Sequence, residues 1–345
     1  MRTDDFDYDL PTGLIAQAPV EPRDSCRLLT VERTSGMLTD RVFSELPELL
    51  NPGDLLVVNE TRVLPARLRG AKADTGGAGE VLLLRERYEG AWECLVKPGR
   101  RVRAGSKLVF GDGLLTGLVV AEDRETGGRV VQFTVHGAGS VISAIHRLGE
   151  MPLPPYITRP IDDPELYQTV FGVEERSAAA PTAGLHFTDE LLARLGETGV
   201  DVARVELDVG LDTFRPVAED DPLDHAIHTE RFRVPPSACD AVNETRARGG
   251  RVIAVGTTSV RALESATDEE SRLLMPTEGD TDLFILPGFR FLTVDAMITN
   301  FHVPRSTLLM LVSAFASRDL VMRAYAHAIA QRYRFLSFGD ALFIS

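Results

Sequence analysis

The chain is 345 residues long, enough for about two domains and a sizeable core. Hydrophobic residues make up 44% and charged residues 26%, which excludes a disordered chain. Its net charge of −14 argues, taken alone, against gripping nucleic acid by bulk positive charge. No uncharged run reaches the roughly 20 residues of a membrane-spanning helix. The acidic start Met1–Leu10 lacks the apolar stretch of a signal peptide. Cys26, Cys94 and Cys239 are scattered and form no CxxC. Neither a disulfide framework nor a thiolate metal site is expected, and the cytoplasm is the expected compartment.

Residues 1–65 mix short elements, with a strand predicted at Asp54–Val58 and a polar stretch, Asn59–Arg62, after it. Residues 66–150 change character. Short β-type runs recur at Glu80–Arg85, Trp92–Val96, Lys107–Phe110, Leu114–Ala121 and Arg129–Val135. The turns Gly76-Gly77, Gly111-Asp112-Gly113 and Gly127-Gly128 separate them. This pattern predicts a small antiparallel barrel. The segment carries a net charge of +3, leaving −17 on the rest of the chain.

From 151 onward helix and strand patterns alternate. Thr188 is positioned to cap a helix through Leu195. Ala203, Val205, Leu207 and Val209 alternate with Arg204, Glu206 and Asp208 as a strand. Ser237 and Asp240 have capping-box spacing for a helix ending at Gly249. Arg251–Val255 reads as a buried strand, and Gly256–Ser259 leads into a helix over Val260–Ser265. Leu320, Val321, Ala324, Tyr325, Ala328 and Ile329 share one face of a long helix. The expected architecture is an αβα sandwich with a mostly parallel sheet, built from residues 1–65 and 151–345. A small antiparallel β-barrel domain, residues 66–150, is inserted into it.

Several stretches could carry chemistry. Gly256-Thr257-Thr258-Ser259 joins a strand to a helix, where amides and hydroxyls can hold an anion or merely cap the helix. It is neither a Walker loop nor GxGxxG. Ser177–Phe187 is a small-residue loop ending in His186 and Phe187, either a ligand approach or a structural turn. His225, His228 and Glu230 form HxxHxE, which reads as metal ligands, acid–base groups or solvated histidines; no further ligands can be placed. Asn300 and His302 sit at a strand exit, where α/β enzymes bind ligands, and Ser306 or Thr307 can cap the next helix. Asn59–Arg62 and Arg67 adjoin the cationic stretch. No GxSxG is present. These residues describe an α/β enzyme for an anionic ligand; they do not specify the reaction.

Taken together, the stretches resemble the S-adenosylmethionine:tRNA ribosyltransferase-isomerase family of queuosine biosynthesis. The likeness is carried by Asp24–Leu28, Asn51–Asp54, Asn59–Arg67, Val96–Gly99, Gly149–Ile157, Ala179–Phe187, Val255–Arg261, Leu263–Ser265, Leu283–Gly288, Thr299–His302 and Tyr333–Phe335. One departure is Leu207–Phe214, where Asp208 and Asp212 replace a His and a Gly of the family pattern.

The resemblance implies transfer and isomerisation of the ribosyl part of S-adenosylmethionine onto 7-aminomethyl-7-deazaguanine at the tRNA wobble position. The product is epoxyqueuosine, with adenine and methionine released. S-adenosylmethionine is then a substrate; no other cofactor, no metal and no membrane partner is implied, and a monomer is expected. The sulfonium acidifies the neighbouring ribose carbon, so the site needs a base, and adenine leaves better when protonated. His186, His225, His228, Glu230, Asp295 and His302 are the expected catalytic groups. Asn59, Thr61, Arg62, Arg67, Thr182, Gly184, Phe187, Gly256, Thr257, Thr258, Ser259, Arg261, Asn300 and Phe301 are the expected substrate contacts. Phe187 or Phe301 is expected to stack on a base. Lys97, Arg100, Arg101, Arg103 and Lys107, in a run without acids, are expected to meet tRNA phosphates.

Three other classes remain distinguishable. A plain RNA-binding protein would release no adenine. A metal hydrolase built on the HxxHxE group would be chelator-sensitive. A methyltransferase would normally carry a Gly-rich loop after its first strand.

Overall fold

The computed structural model describes residues 1–122, 127–210, 216–227 and 229–345. It divides into two compact units: Met1–Arg62 with Pro154–Glu174 and Ala180–Ser345, and Val63–Leu153 with Glu175–Ala179.

In the first unit the strand Leu55–Asn59 is buried at every position, the composition of a strand covered on both faces. It pairs in parallel with Asp201–Leu207 on one side and Val252–Val255 on the other. Val252–Val255 pairs in parallel with Ala296–Asn300. Further strands flank this parallel centre. Glu230–Val234 and Thr277–Thr281 continue one side, both antiparallel; on the other, Ala341–Ile344 pairs antiparallel with Ala296–Asn300, Arg27–Val31 pairs in parallel with Ala341–Ile344, and Leu38–Val42 closes the edge antiparallel. Among the described residues the sheet has nine strands. One core cluster joins Leu56, Val58, Ile253, Val255 and Ile298 to Phe187 and to Leu191 and Leu195 of the helix Asp189–Glu197.

The cap at Thr188 forms as expected, its hydroxyl accepting from the Leu191 amide at 3.1 Å. Ser306 likewise caps Thr307–Ala316, accepting from the Leu309 amide at 3.2 Å. The capping box at Ser237 does not form. The helix runs Pro236–Ala247 and starts on Pro235 with no side-chain cap. Proline at the first helical position presets φ and moves the start ahead of Ser237. The Gly256–Ser259 turn also differs from expectation: the helix begins at Thr257, inside it, and runs to Ala266.

In the second unit, Arg67–Lys72, Ala78–Tyr88, Ala91–Lys97, Arg129–Val135, Leu115–Glu122 and Lys107–Phe110 pair in that order, all antiparallel. Lys107–Phe110 then pairs back onto Arg67–Lys72, closing a six-stranded barrel. Closure leaves no open edge among these six strands. Gly70 permits it: a Cβ there would lie 2.4 Å from the Val109 carbonyl and 2.5 Å from the Phe110 ring. The expected fold class, a mixed α/β layer plus a small antiparallel barrel, is the fold observed.

Candidate active site

A cleft opens at the carboxyl ends of the central parallel strands. That is where open α/β sheets bind ligands, because the helices that follow these strands point their amino ends there. Asn300 closes one strand and continues into Phe301 and His302; Gly256–Thr258 follows the neighbouring strand. Thr182 and Tyr156 complete the polar wall with Thr299 and Ser337. Val209, Val303, Leu308 and Leu336 supply apolar surface.

Asn300 is held from three sides. Its amide nitrogen donates to the Leu336 carbonyl at 3.2 Å and to His186 Nε2 at 3.1 Å, and its oxygen accepts from the Thr182 hydroxyl at 3.0 Å. The Leu336 carbonyl can only accept, so this orients the amide. His186 Nε2 is then an acceptor, and Nδ1 carries the proton toward Cys26 Sγ, 3.2 Å away. Burial, then the positive Arg334 and Arg23, hold His186 down to about 3, so the ring is neutral. His186 therefore sits behind the cleft and positions Asn300.

His302 lies on the cleft itself. Its Nε2 is 2.9 Å from the Thr299 hydroxyl. Its backbone carbonyl accepts from Tyr8, and its amide donates to the Tyr325 oxygen at 2.9 Å. Burial holds this imidazole down to about 3 as well, so it is the neutral base form at physiological pH. Tyr156, hydrogen-bonded to Ser337 at 2.8 Å, is pushed above the ordinary phenol range by burial.

The remaining expected residues are placed elsewhere. Asp295 stands at the opposite end of the strand from Asn300, accepting from the Val252 amide at 2.9 Å, which removes it from the cleft. Glu230 is buried against Arg261, and Arg261 also donates to the Leu283 and Thr281 carbonyls. Glu230 further accepts from the Gly210 amide at 3.0 Å. This pair braces the sheet edge, leaving Arg261 committed inside the protein. His225 is bonded to Glu219 at 2.8 Å beside the short turn Pro222–Asp224, so the HxxHxE group starts on no helix. His228 and Asp212 lie outside the described residues.

Asn59 latches Leu207 through both its amide and its carbonyl, and Thr61 donates to the same Leu207 carbonyl at 3.2 Å. Arg62 pairs with Glu165, and Arg67 with Glu80 at 3.3 Å. Ser259 is fully buried, its hydroxyl on the Val255 carbonyl at 2.8 Å. Gly184 serves packing: a Cβ would meet the Phe171 ring at 2.6 Å. Neither expected stacking ring is open to a base. Phe187 packs edge-on to Phe43, and Phe301 is enclosed by Tyr325, Tyr333 and Phe335, both at 0% exposure. Of the other cleft residues, Tyr156 lies within the stretch Gly149–Ile157, whereas Leu336 and Ser337 belong to no motif and meet the cleft only through the fold. Asp208, half-buried just past its strand, donates its amide to the Arg231 carbonyl at 2.9 Å.

Such a cleft, polar at one end and apolar along its sides, defines an α/β enzyme for a small organic substrate. Residues 3–344 match the family model described as "Queuosine biosynthesis protein". Curated relatives named S-adenosylmethionine:tRNA ribosyltransferase-isomerase align over 344 residues, all of both chains. They are 58% identical in Symbiobacterium thermophilum, 53% in Moorella thermoacetica and 52% in Desulfitobacterium hafniense. A crystal structure of S-adenosylmethionine tRNA ribosyltransferase from Thermotoga maritima is 40% identical, with a TM-score of 0.55. That match covers 99% of this chain and all of the other. The chain belongs to the queuosine biosynthesis protein family.

Among the described residues no helix is long and apolar enough to cross a membrane, and no group of three or more His, Cys, Asp or Glu side chains is placed to share a metal ion.

Proposed function

We propose that this protein transfers and isomerises the ribosyl moiety of S-adenosylmethionine onto 7-aminomethyl-7-deazaguanine in tRNA, forming epoxyqueuosine and releasing adenine and methionine. The observation that carries this reading is the full-length identity of 52–58% to curated relatives named for that reaction. Catalysis is assigned to residues 1–65 and 151–345, and RNA contact to the inserted residues 66–150. A tRNA substrate supports a cytoplasmic location, and we take the enzyme to act there as a monomer.

The cleft supplies what the chemistry needs. His302 is neutral and lines it, so we assign it to receive the proton next to the sulfonium. Thr299 bonds the other ring nitrogen and fixes which nitrogen is offered. Asn300, locked by His186, presents a fixed amide to the ribose hydroxyls. Apolar walls around the reacting atoms keep water from the intermediates.

Lys97, Arg100, Arg101, Arg103 and Lys107 are all exposed. Arg129 donates to the Gly99 and Val102 carbonyls at 3.0 and 2.9 Å and so shapes the backbone between them. We assign these five cations to tRNA phosphates, with salt-sensitive binding.

The test combines the protein, S-adenosylmethionine and tRNA bearing the aminomethyl base, followed by nucleoside mass spectrometry. Epoxyqueuosine and adenine in equal amounts are expected. Their absence, under conditions where a related enzyme succeeds, overturns the reading.

A further inference from the structure

We propose that the start of the Thr257–Ala266 helix is a carboxylate site that takes the methionine carboxylate of S-adenosylmethionine, with Thr258 as its side-chain donor; this rests on the ribosyltransferase reading above. The helix is ten residues long, and its N-cap is Gly256, at φ +88°, with no side chain capping the first turn. Its leading amides thus lack the partner that a Ser, Thr or Asp cap supplies, and the positive end of the helix faces the cleft unneutralised. Ser259 does not fill this role, because its hydroxyl is turned back to Val255.

The second observation is independent of the helix end. Thr258 lines the cleft and is only 8% exposed, yet its hydroxyl oxygen is buried with no hydrogen-bond partner. A buried hydroxyl without a partner is rare in a native fold and is explained when a ligand completes it. Gly256 keeps the approach open: a Cβ there would lie 3.4 Å from that oxygen and 3.6 Å from the Ala183 methyl.

Charge selects the anion. Among the described residues no Lys, Arg, Asp or Glu lines the cleft. An RNA backbone is held by cations, and none stands here. A single carboxylate needs only the helix end and one hydroxyl. The aliphatic side chains of Val303, Leu308 and Leu336 suit the methylene chain between that carboxylate and the sulfonium.

The experiment compares binding of S-adenosylmethionine with its decarboxylated counterpart, which keeps the sulfonium and the adenosine. Calorimetry on the full chain should show the carboxylated compound binding at least about tenfold tighter, the scale of one or two charge-assisted hydrogen bonds. Thr258→Val, similar in shape but without the hydroxyl, should cut that preference to about threefold by weakening only S-adenosylmethionine. Thr258→Ser should restore it, which separates a lost donor from a damaged fold. Equal affinities for the two compounds in the unaltered protein overturn the proposal, as does a Thr258→Val loss shared by both. A Thr258→Val effect confined to tRNA affinity assigns the site to an RNA phosphate and overturns it too. Failure of the enzymatic reading shows separately, as no adenine released with tRNA while the carboxylate preference persists.

Discussion

Lowering the pH from about 7.5 to about 5 should destabilise the protein through two histidines that stay unprotonated in the folded chain. Burial holds His302 down to about 3, and burial with Arg334 and Arg23 does the same to His186. In an unfolded chain imidazole titrates near 6.5. With the folded value depressed, the unfolded state binds more protons. The stability contribution is therefore complete above about 6.5 and is lost as the pH falls from there toward about 3. At about pH 5 the unfolded chain gains about 2 kcal/mol per ring, or about 4 kcal/mol for the two. That is a large share of the roughly 5–15 kcal/mol that holds a domain together.

Glu264 and Asp340, both raised by burial, work in the opposite direction, so the bare pH dependence of the protein mixes signs. The clean readout is the difference between the unaltered protein and His302→Gln, which carries no titrating ring at that position. Urea unfolding across this range should show that difference shrinking by about 2 kcal/mol toward about pH 5. Nitrogen NMR of the imidazoles should show both rings neutral at about pH 5, with the His186 proton on Nδ1. An imidazolium signal from either ring at about pH 6, or a difference that ignores pH, would refute the reasoning.

Three further outcomes follow from single contacts. Arg261→Met leaves the Glu230 carboxylate buried without its guanidinium; it should cost about 3–5 kcal/mol by thermal unfolding, and adding Glu230→Met should recover part of the loss. Gly149→Ala places a Cβ 1.9 Å from the Pro65 carbonyl and 2.7 Å from that of Ile145, so the barrel should lose about 3 kcal/mol or more. Gly13→Ala, with nothing within 4 Å, is its control and should leave the melting temperature unchanged. Tyr8→Phe removes the hydroxyl that grips the His302 carbonyl; kcat should fall several-fold with KM for S-adenosylmethionine nearly constant, and an unchanged kcat would show that the His302 segment is held without it.

Local order was legible wherever neighbours in the chain decide it. Alternation and glycine turns marked the later barrel strands, and two of them, Lys107–Phe110 and Arg129–Val135, match to the residue. Thr188 and Ser306 cap their helices because a cap needs only the next three amides. Ser237 failed on equally local grounds, since a proline outranked it. The first barrel strand, Arg67–Lys72, was not marked, because its alternation is broken by Gly70, which the closing strand requires.

The sequence by itself determined the family, through many short motifs in one order, and the two fold types, through the periods of their hydrophobic patterns. Only the tertiary structure decided which polar residues meet. Asn300 and Asp295 are five positions apart, yet a strand rises about 3.3 Å per residue. One therefore reaches the cleft and the other the far end of the sheet. His186 reads as a catalytic group, and Phe187, Ser259 and Arg261 as substrate contacts, because polar and aromatic residues in a loop or a helix start look alike whether they face a substrate or a core. Thr182, Gly256–Thr258 and His302, distant in the chain, converge because parallel strands deliver their carboxyl ends to one edge of the sheet.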